Sequence, residues 1–142
     1  MNEWPPPLQE IINEFKDCFD RMERYELLFE YATKLPHELQ AKDWTEENRV
    51  KGCQSEAHVE CTLDENGGFQ LHGAADANLV QGLIAILAIG VNGLPPSEVA
   101  LINPEFVDEM DVKASLTPSR ANGFMNMFEM IRQTAKIMSK EV

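Results

Sequence analysis

The side chains of this 142-residue chain best suited to covalent or metal chemistry are three cysteines and three histidines, set among 24 carboxylates. Cys53 stands in the glycine-flanked, polar stretch Arg49-Val50-Lys51-Gly52-Cys53-Gln54-Ser55, with two cations just before it in an otherwise acidic region. The thiolate is the reactive form of cysteine, and nearby positive charge lowers the cost of making it, while Glu56 works in the opposite direction. On composition alone, a nucleophile and an ordinary thiol both stay open at this position. Cys18 lies on or beside an apolar helical stripe, and Cys61 falls in a strand pattern. Both read as small core residues. His37 follows Pro36 in a polar connection and reads as a surface histidine with no visible partner.

Metal and nucleotide chemistry find little support. Cys53, His58, Cys61 and His72 are ligand types, but they lack paired C-x-x-C or H-x-x-x-H spacing. In a strand, His58 and Cys61 would also point to opposite faces. Gly67-Gly68 sits inside a hairpin pattern and Gly90, Asn92 and Gly93 end a helical one, with no Lys-Ser or Lys-Thr following, so no phosphate-cradling loop is read and no cofactor is expected. Twelve Lys and Arg against 24 Asp and Glu give a net charge of −12, which repels phosphate backbones and argues against nucleic acid. Between Lys51 and Lys113 there are ten acidic residues and no basic one, a pattern of either a solvated face or a face for a basic protein partner.

The elements that must position these residues follow from periodicity. Leu8, Ile11, Ile12, Phe15, Phe19 and Met22 form one helical stripe, and Tyr25, Leu28, Phe29 and Ala32 a second phase, so two helices or one bent near Asp20 fit equally. Pro36 to Asn48 is a polar surface connection pinned by Trp44. Val59, Cys61 and Leu63 alternate with polar residues, and after Asp64-Glu65-Asn66-Gly67-Gly68 the alternation resumes at Phe69 and Leu71, which reads as a hairpin. Arg49-Val50-Lys51 is a candidate third strand. Asp76 or Asn78 is the expected cap of an apolar helix ending near Asn92-Gly93. Its apolar core, Leu79 to Val91, is shorter than the roughly 20 residues a bilayer requires, so no membrane span is expected. Short helical pieces follow Pro95 and Asn103. Thr117-Pro118 then opens a last helix carrying Phe124, Met127, Phe128, Ile131, Ala135 and Met138 on one face. That helix holds four of the seven methionines, read as core filler. The expectation is an α+β fold, a single domain over residues 1–142, with a small antiparallel sheet of about three strands packed by N-terminal, central and C-terminal helices.

The run Thr45-Glu46-Glu47-Asn48-Arg49-Val50-Lys51-Gly52-Cys53-Gln54-Ser55 closely resembles the signature of the SufE family, the sulfur-acceptor proteins of iron–sulfur cluster assembly. Leu35-Pro36, the stretch Asp76-Ala77-Asn78-Leu79-Val80-Gln81-Gly82-Leu83-Ile84-Ala85 and the stretch Leu116-Thr117-Pro118-Ser119-Arg120-Ala121-Asn122-Gly123 resemble further family segments in the same order, so the likeness covers nearly the whole chain. The resemblance implies that Cys53 accepts a persulfide sulfur from a pyridoxal-phosphate-dependent cysteine desulfurase, stimulates its turnover and hands the sulfur to an iron–sulfur scaffold. The protein would then be a co-substrate rather than an enzyme, a monomer or weak homodimer. Lys51, Gly52, Gln54, Ser55 and Arg120 would support the loop or meet the partner. The chain departs from the family pattern at Ala57-His58, where members commonly carry a bulky apolar pair often ending in tryptophan, and at Ala74-Ala75, where an acidic residue commonly follows the glycine. The alternative is a regulatory adaptor that binds a desulfurase or related partner without carrying sulfur. Three cysteines that cannot all pair, and a start with no basic-then-apolar leader, point to reduced thiols in the cytoplasm.

Overall fold

The computed structural model describes residues 4–52 and 55–141, Glu141 by its backbone only. Two helices form the N-terminal layer. Helix α1 (Pro6–Lys16) starts on proline and buries Leu8, Ile11, Ile12 and Phe15. Helix α2 (Arg21–Ala32) is opened by Asp20, whose carboxylate accepts from the Glu23 N–H at 3.0 Å, while the Glu23 side chain accepts from the Phe19 N–H at 2.5 Å. This break resets the helical phase. The stripe expected to run on from Phe15 therefore stops there, leaving Phe19 88% and Met22 62% exposed. Cys18 falls in the same corner. Contrary to the core reading, it is only half-buried and lines an acidic hollow with Glu14, Asp17, Glu23, Glu26 and Glu30.

Helix α2 lies along the central helix α3 (Asn78–Val91) so closely that a Cβ on Gly82 would stand 2.2 Å from the Leu28 carbonyl oxygen. Helix α3 is apolar nearly all round because α1, α2 and the sheet each cover part of it. Neither expected cap serves it. Ala77 is the N-cap without a side-chain bond, Asn78 is already helical, and the Asp76 carboxylate accepts instead from the Glu56 N–H at 3.1 Å. At the far end Asn92 caps the helix, and its side chain accepts from the Leu71 N–H at 2.9 Å, tying helix end to sheet.

Among the described residues the sheet has two strands, where about three were expected. Strands β1 (Ala57–Leu63) and β2 (Phe69–Ala75) pair antiparallel, from Ala57 opposite Ala75 to Leu63 opposite Phe69. In the turn, the Asp64 carboxylate accepts from the Asn66 and Gly68 N–H groups at 2.9 and 2.8 Å, and Gly67 takes φ +81°. Arg49-Val50-Lys51 meets β1 only through the single bridge of Arg49 with His58, closed by Val59 N–H to Asn48 O at 2.9 Å and Val50 N–H to Ala57 O at 2.8 Å. A turn at Lys51-Gly52, with φ +78° at the glycine, then carries the chain away before a strand can extend. A second lone bridge, Glu38 with Gly73, lays the 33–44 segment beside β2. There His37 is exposed but partnered: its Nε2 lies 3.0 Å from Gln70 Oε1 and its ring stacks on His72 at 4.8 Å.

Short helices α4 (Pro96–Ala100), α5 (Phe106–Glu109) and α6 (Val112–Ser115) lead to the long helix α7 (Pro118–Glu141). Thr117 opens α7, its Oγ1 accepting from the Arg120 N–H at 3.3 Å. Phe124, Met127, Phe128, Ile131 and Ala135 are buried, with Phe106 edge-on to Phe128 at 5.0 Å. Among the described residues no helix is long and apolar enough to cross a membrane.

Candidate functional site

The loop between Asn48 and Ala57 is built from its two stems inward. On the entry side, Thr45 and Asn48 bond each other reciprocally, Thr45 N–H to Asn48 Oδ1 at 3.0 Å and Asn48 N–H to Thr45 Oγ1 at 3.3 Å. Val50 is buried and anchors the chain to the core, while Arg49 and Lys51 are exposed. Gly52 answers two demands at once. Its φ of +78° is left-handed, and a Cβ there would stand 2.4 Å from the Asn126 side-chain nitrogen. That Asn126 Nδ2, projecting from α7, donates to the Lys51 carbonyl at 3.1 Å and holds the entry stem on the C-terminal helix. A cleft of about 260 Å³, lined by Glu46, Arg49, Val50, Lys51 and Gly52, opens beside it.

Cys53 and Gln54, the expected acceptor and its neighbour, lie outside the described residues. Ser55 is half-buried on the exit side. The exit stem is then fixed by a reciprocal pair of bonds with Asp76, Glu56 N–H to the side-chain Asp76 Oδ1 at 3.1 Å and Asp76 N–H to Glu56 O at 3.0 Å. Arg120 sits half-buried in the first turn of α7. Its Nε is buried and meets no hydrogen-bond partner among the described residues, whereas Asn126, two turns on, makes the contact to the loop.

The residues that sequence reasoning missed lie just beneath. His58 is only 2% exposed, with its ring stacked on Trp44 at 5.0 Å. Its Nδ1 lies 2.6 Å from Asn48 Oδ1 and its Nε2 2.9 Å from Glu56 Oε2. The signal for the Glu56 contact was present: Glu56 and His58 are two apart in an extended segment and so share a face. Nothing in the sequence marks Asn126, a polar residue on an exposed helical position, as a partner of the loop.

The two described thiols are poor nucleophiles. Burial, aided by Glu60, pushes the Cys61 thiol up to about 12, and Cys61 is half-buried against the core. Burial, then Glu23, with Asp17 and Glu14, raises Cys18 as well, Arg24 opposing. Both are held in the unreactive protonated form at physiological pH. Among the described residues no group of three or more His, Cys, Asp or Glu is placed to hold a metal ion.

A two-stranded hairpin packed on a buried central helix, with a glycine-pivoted loop pinned to the last helix, defines an α+β class met elsewhere. The solution structure of a hypothetical protein from Thermus thermophilus shares this fold with a TM-score of 0.79, covering 96% of this chain and 98% of that one at 23% identity. The model of the SufE family, described as an Fe-S metabolism associated domain, matches residues 9–135. The chain belongs to the SufE family, and its role lies in iron–sulfur metabolism. It is 40% identical over 131 residues to an uncharacterized SufE-like protein of Synechocystis sp., covering 92% of this chain and 81% of that one. It is 36% identical over 136 residues to SufE-like protein 1, chloroplastic/mitochondrial, of Arabidopsis thaliana, covering 95% of this chain but only 36% of the plant protein.

Proposed function

We propose that this chain, acting as one SufE-like unit, is a sulfur acceptor whose carrier is Cys53. The Cys53 thiolate attacks the terminal sulfur of a persulfide on a pyridoxal-phosphate-dependent cysteine desulfurase. A new S–S bond forms at Cys53, the donor's S–S bond breaks, and the donor cysteine leaves as a thiolate, with no net oxidation. The desulfurase, cleared of its persulfide, turns over again, and the carried sulfur passes by the same exchange to an iron–sulfur scaffold. The pyridoxal cofactor is the partner's, and a reducing compartment such as the cytosol suits a carrier with free thiols.

The observation that carries this reading is the string Val50-Lys51-Gly52-Cys53-Gln54-Ser55, whose described entry is shaped by Gly52 and Asn126, in a chain of the SufE family. The raised Cys18 and Cys61 thiols support it, because each is harder to ionise than an ordinary cysteine. Lys51, Gln54, Ser55 and Arg120 are assigned to loop support or partner contact. The acidic run between Lys51 and Lys113 favours one rival, a regulatory adaptor that binds a basic partner without carrying sulfur. Desulfurase turnover with Cys53→Ser separates the two. The carrier reading expects the serine variant to bind the desulfurase yet lose the stimulation; stimulation equal to wild type would establish the adaptor.

A further inference from the structure

Two hollows of opposite charge stand on the surface, and neither is lined by a residue between 45 and 57. The first, a groove of about 460 Å³ between α4 and the C-terminal half of α7, is walled by Arg132, Lys136 and Lys140, and its other lining residues are uncharged. Four-residue steps put these cations on one face of α7, along about 12 Å at roughly 1.5 Å per residue. Arg132 pairs with Glu129 at 3.3 Å, but Lys136 and Lys140 take part in no ion pair among the described residues. A chain with 24 carboxylates and 12 cations has thus kept every carboxylate out of this wall. The rim is apolar: Leu101 at the end of α4 is 82% exposed, and Ile137, one turn on from Gln133, 58%.

The second hollow, of about 370 Å³, is the acidic one at the corner of α1 and α2. Glu23, Glu26 and Glu30 follow one face of α2 along about 10 Å, and Glu14 and Asp17 face them from α1. None of these five carboxylates is in an ion pair among the described residues. Phe19, Met22 and Phe29 stand exposed beside them. With Leu101 and Ile137 they make five of the six large apolar side chains exposed among the described residues, the sixth being Leu63. Apolar side chains scattered singly need no explanation, but these gather beside two charged hollows, the pattern of a docking surface.

We propose that the groove between α4 and α7 docks a second copy of this chain by the acidic face of its α2. The two stripes have opposite sign and nearly equal length, so Glu26 and Glu30 of one copy can meet Lys136 and Lys140 of the other. Leu101 also borders an apolar hollow of about 340 Å³ shared with Trp4, Pro6 and Ile102, which suits the exposed Phe19 of the second copy. The net charge of −12 opposes any approach of two copies, but at physiological salt that repulsion is screened beyond about 8 Å, and the opposed stripes decide at contact. Because the two surfaces differ, a twofold pair forms when both contacts close at once, and a chain of copies when they do not. The pairing is independent of the sulfur-acceptor reading.

Sedimentation velocity of the full chain at physiological salt, from about 10 μM to about 1 mM, reads the association. Salt acts on the net repulsion and on the stripes in opposite directions, so the test rests on charge reversal. One double variant carries Lys136→Glu and Lys140→Glu, the other Glu26→Lys and Glu30→Lys; all four side chains are exposed, and Glu23 is left in place because it caps α2. Wild type is expected to associate within this range, and each double variant alone to do so at least about tenfold more weakly. An equimolar mixture of the two should recover the wild-type affinity, because the untouched groove of one then meets the untouched hollow of the other and the reversed surfaces meet each other. Phe19→Ser should weaken association with every charge intact. A wild type that stays monomeric at about 1 mM, a double variant that associates alone as wild type does, or a mixture that stays monomeric although both variants keep the wild-type circular dichroism would overturn the proposal. With a monomeric wild type, binding of a synthetic Glu-Leu repeat peptide that the lysine reversals abolish would assign the groove to an acidic partner of another kind.

Discussion

At the scale of single residues, Gly52 is the position where the loop is least tolerant of change. Any L side chain there adopts a left-handed conformation costing about 1–2 kcal/mol, and its Cβ meets Asn126 as well. Gly52→Ala is expected to lower stability by about that amount and to break the Asn126 bond to Lys51. Adding Asn126→Ala should recover the steric part and leave the backbone strain, which urea unfolding of the two single variants and the double variant resolves. His72 carries a different dependence. Burial, and then the facing His37, lower its proton affinity, with Glu60 opposing. The folded chain thus binds this proton less readily than the unfolded one, so stability is expected to fall as pH drops through and below the ordinary value of 6.5. In His37→Gln the neighbouring ring charge is gone, and an NMR titration should show His72 taking its proton at higher pH than in wild type.

At the scale of elements, the contact of α2 with α3 is set by Gly82, where the obstacle to a side chain is backbone, the Leu28 carbonyl, rather than a flexible group. Gly82→Ala should therefore cost about 1–3 kcal/mol from overpacking, outweighing the helix-propensity gain of up to about 1 kcal/mol. The midpoint of denaturant unfolding measures it, and Gly67→Ala, with open space around its Cβ, is the control in which only backbone strain acts.

Helical and alternating periods made α1, α2, the hairpin, α3 and α7 legible in the sequence, because burial of one face imposes those periods directly. Where phase depended on a local break, the sequence was ambiguous: Phe19 and Met22 continue the spacing of α1, but the Asp20 cap starts a new helix and turns them to solvent. The third strand failed for a similar reason. Arg49-Val50-Lys51 has strand-like residues, but the positive φ of Gly52, shaped by a residue 74 positions further on, ends the pairing after one bridge. The loop and its glycine could be read as a motif. Asn126 could not be, since its role depends on where α7 passes, and the His58–Glu56 contact was visible only as two polar residues on one face of a strand.

At the scale of the whole molecule, the architecture anchors the segment between Asn48 and Ala57 at both of its ends. Its stems are held by β1, by Asp76 ahead of α3 and by α7, while the buried α3 makes the three one core. A net charge of −12 and the acidic run across the middle of the chain suit either a solvated face or a basic partner surface; association with such a partner should weaken with salt, and a salt-independent affinity would leave the solvated face. Burial, with neighbouring carboxylates, raises the cost of ionising the two described thiols. The most direct test of the carrier role is intact-mass spectrometry with peptide mapping after the full chain is mixed with a cysteine desulfurase, its pyridoxal cofactor and L-cysteine. A carrier at Cys53 should show one or more added sulfur atoms on that peptide, removed by reductant. No added sulfur there, or sulfur on Cys61 instead, would contradict it.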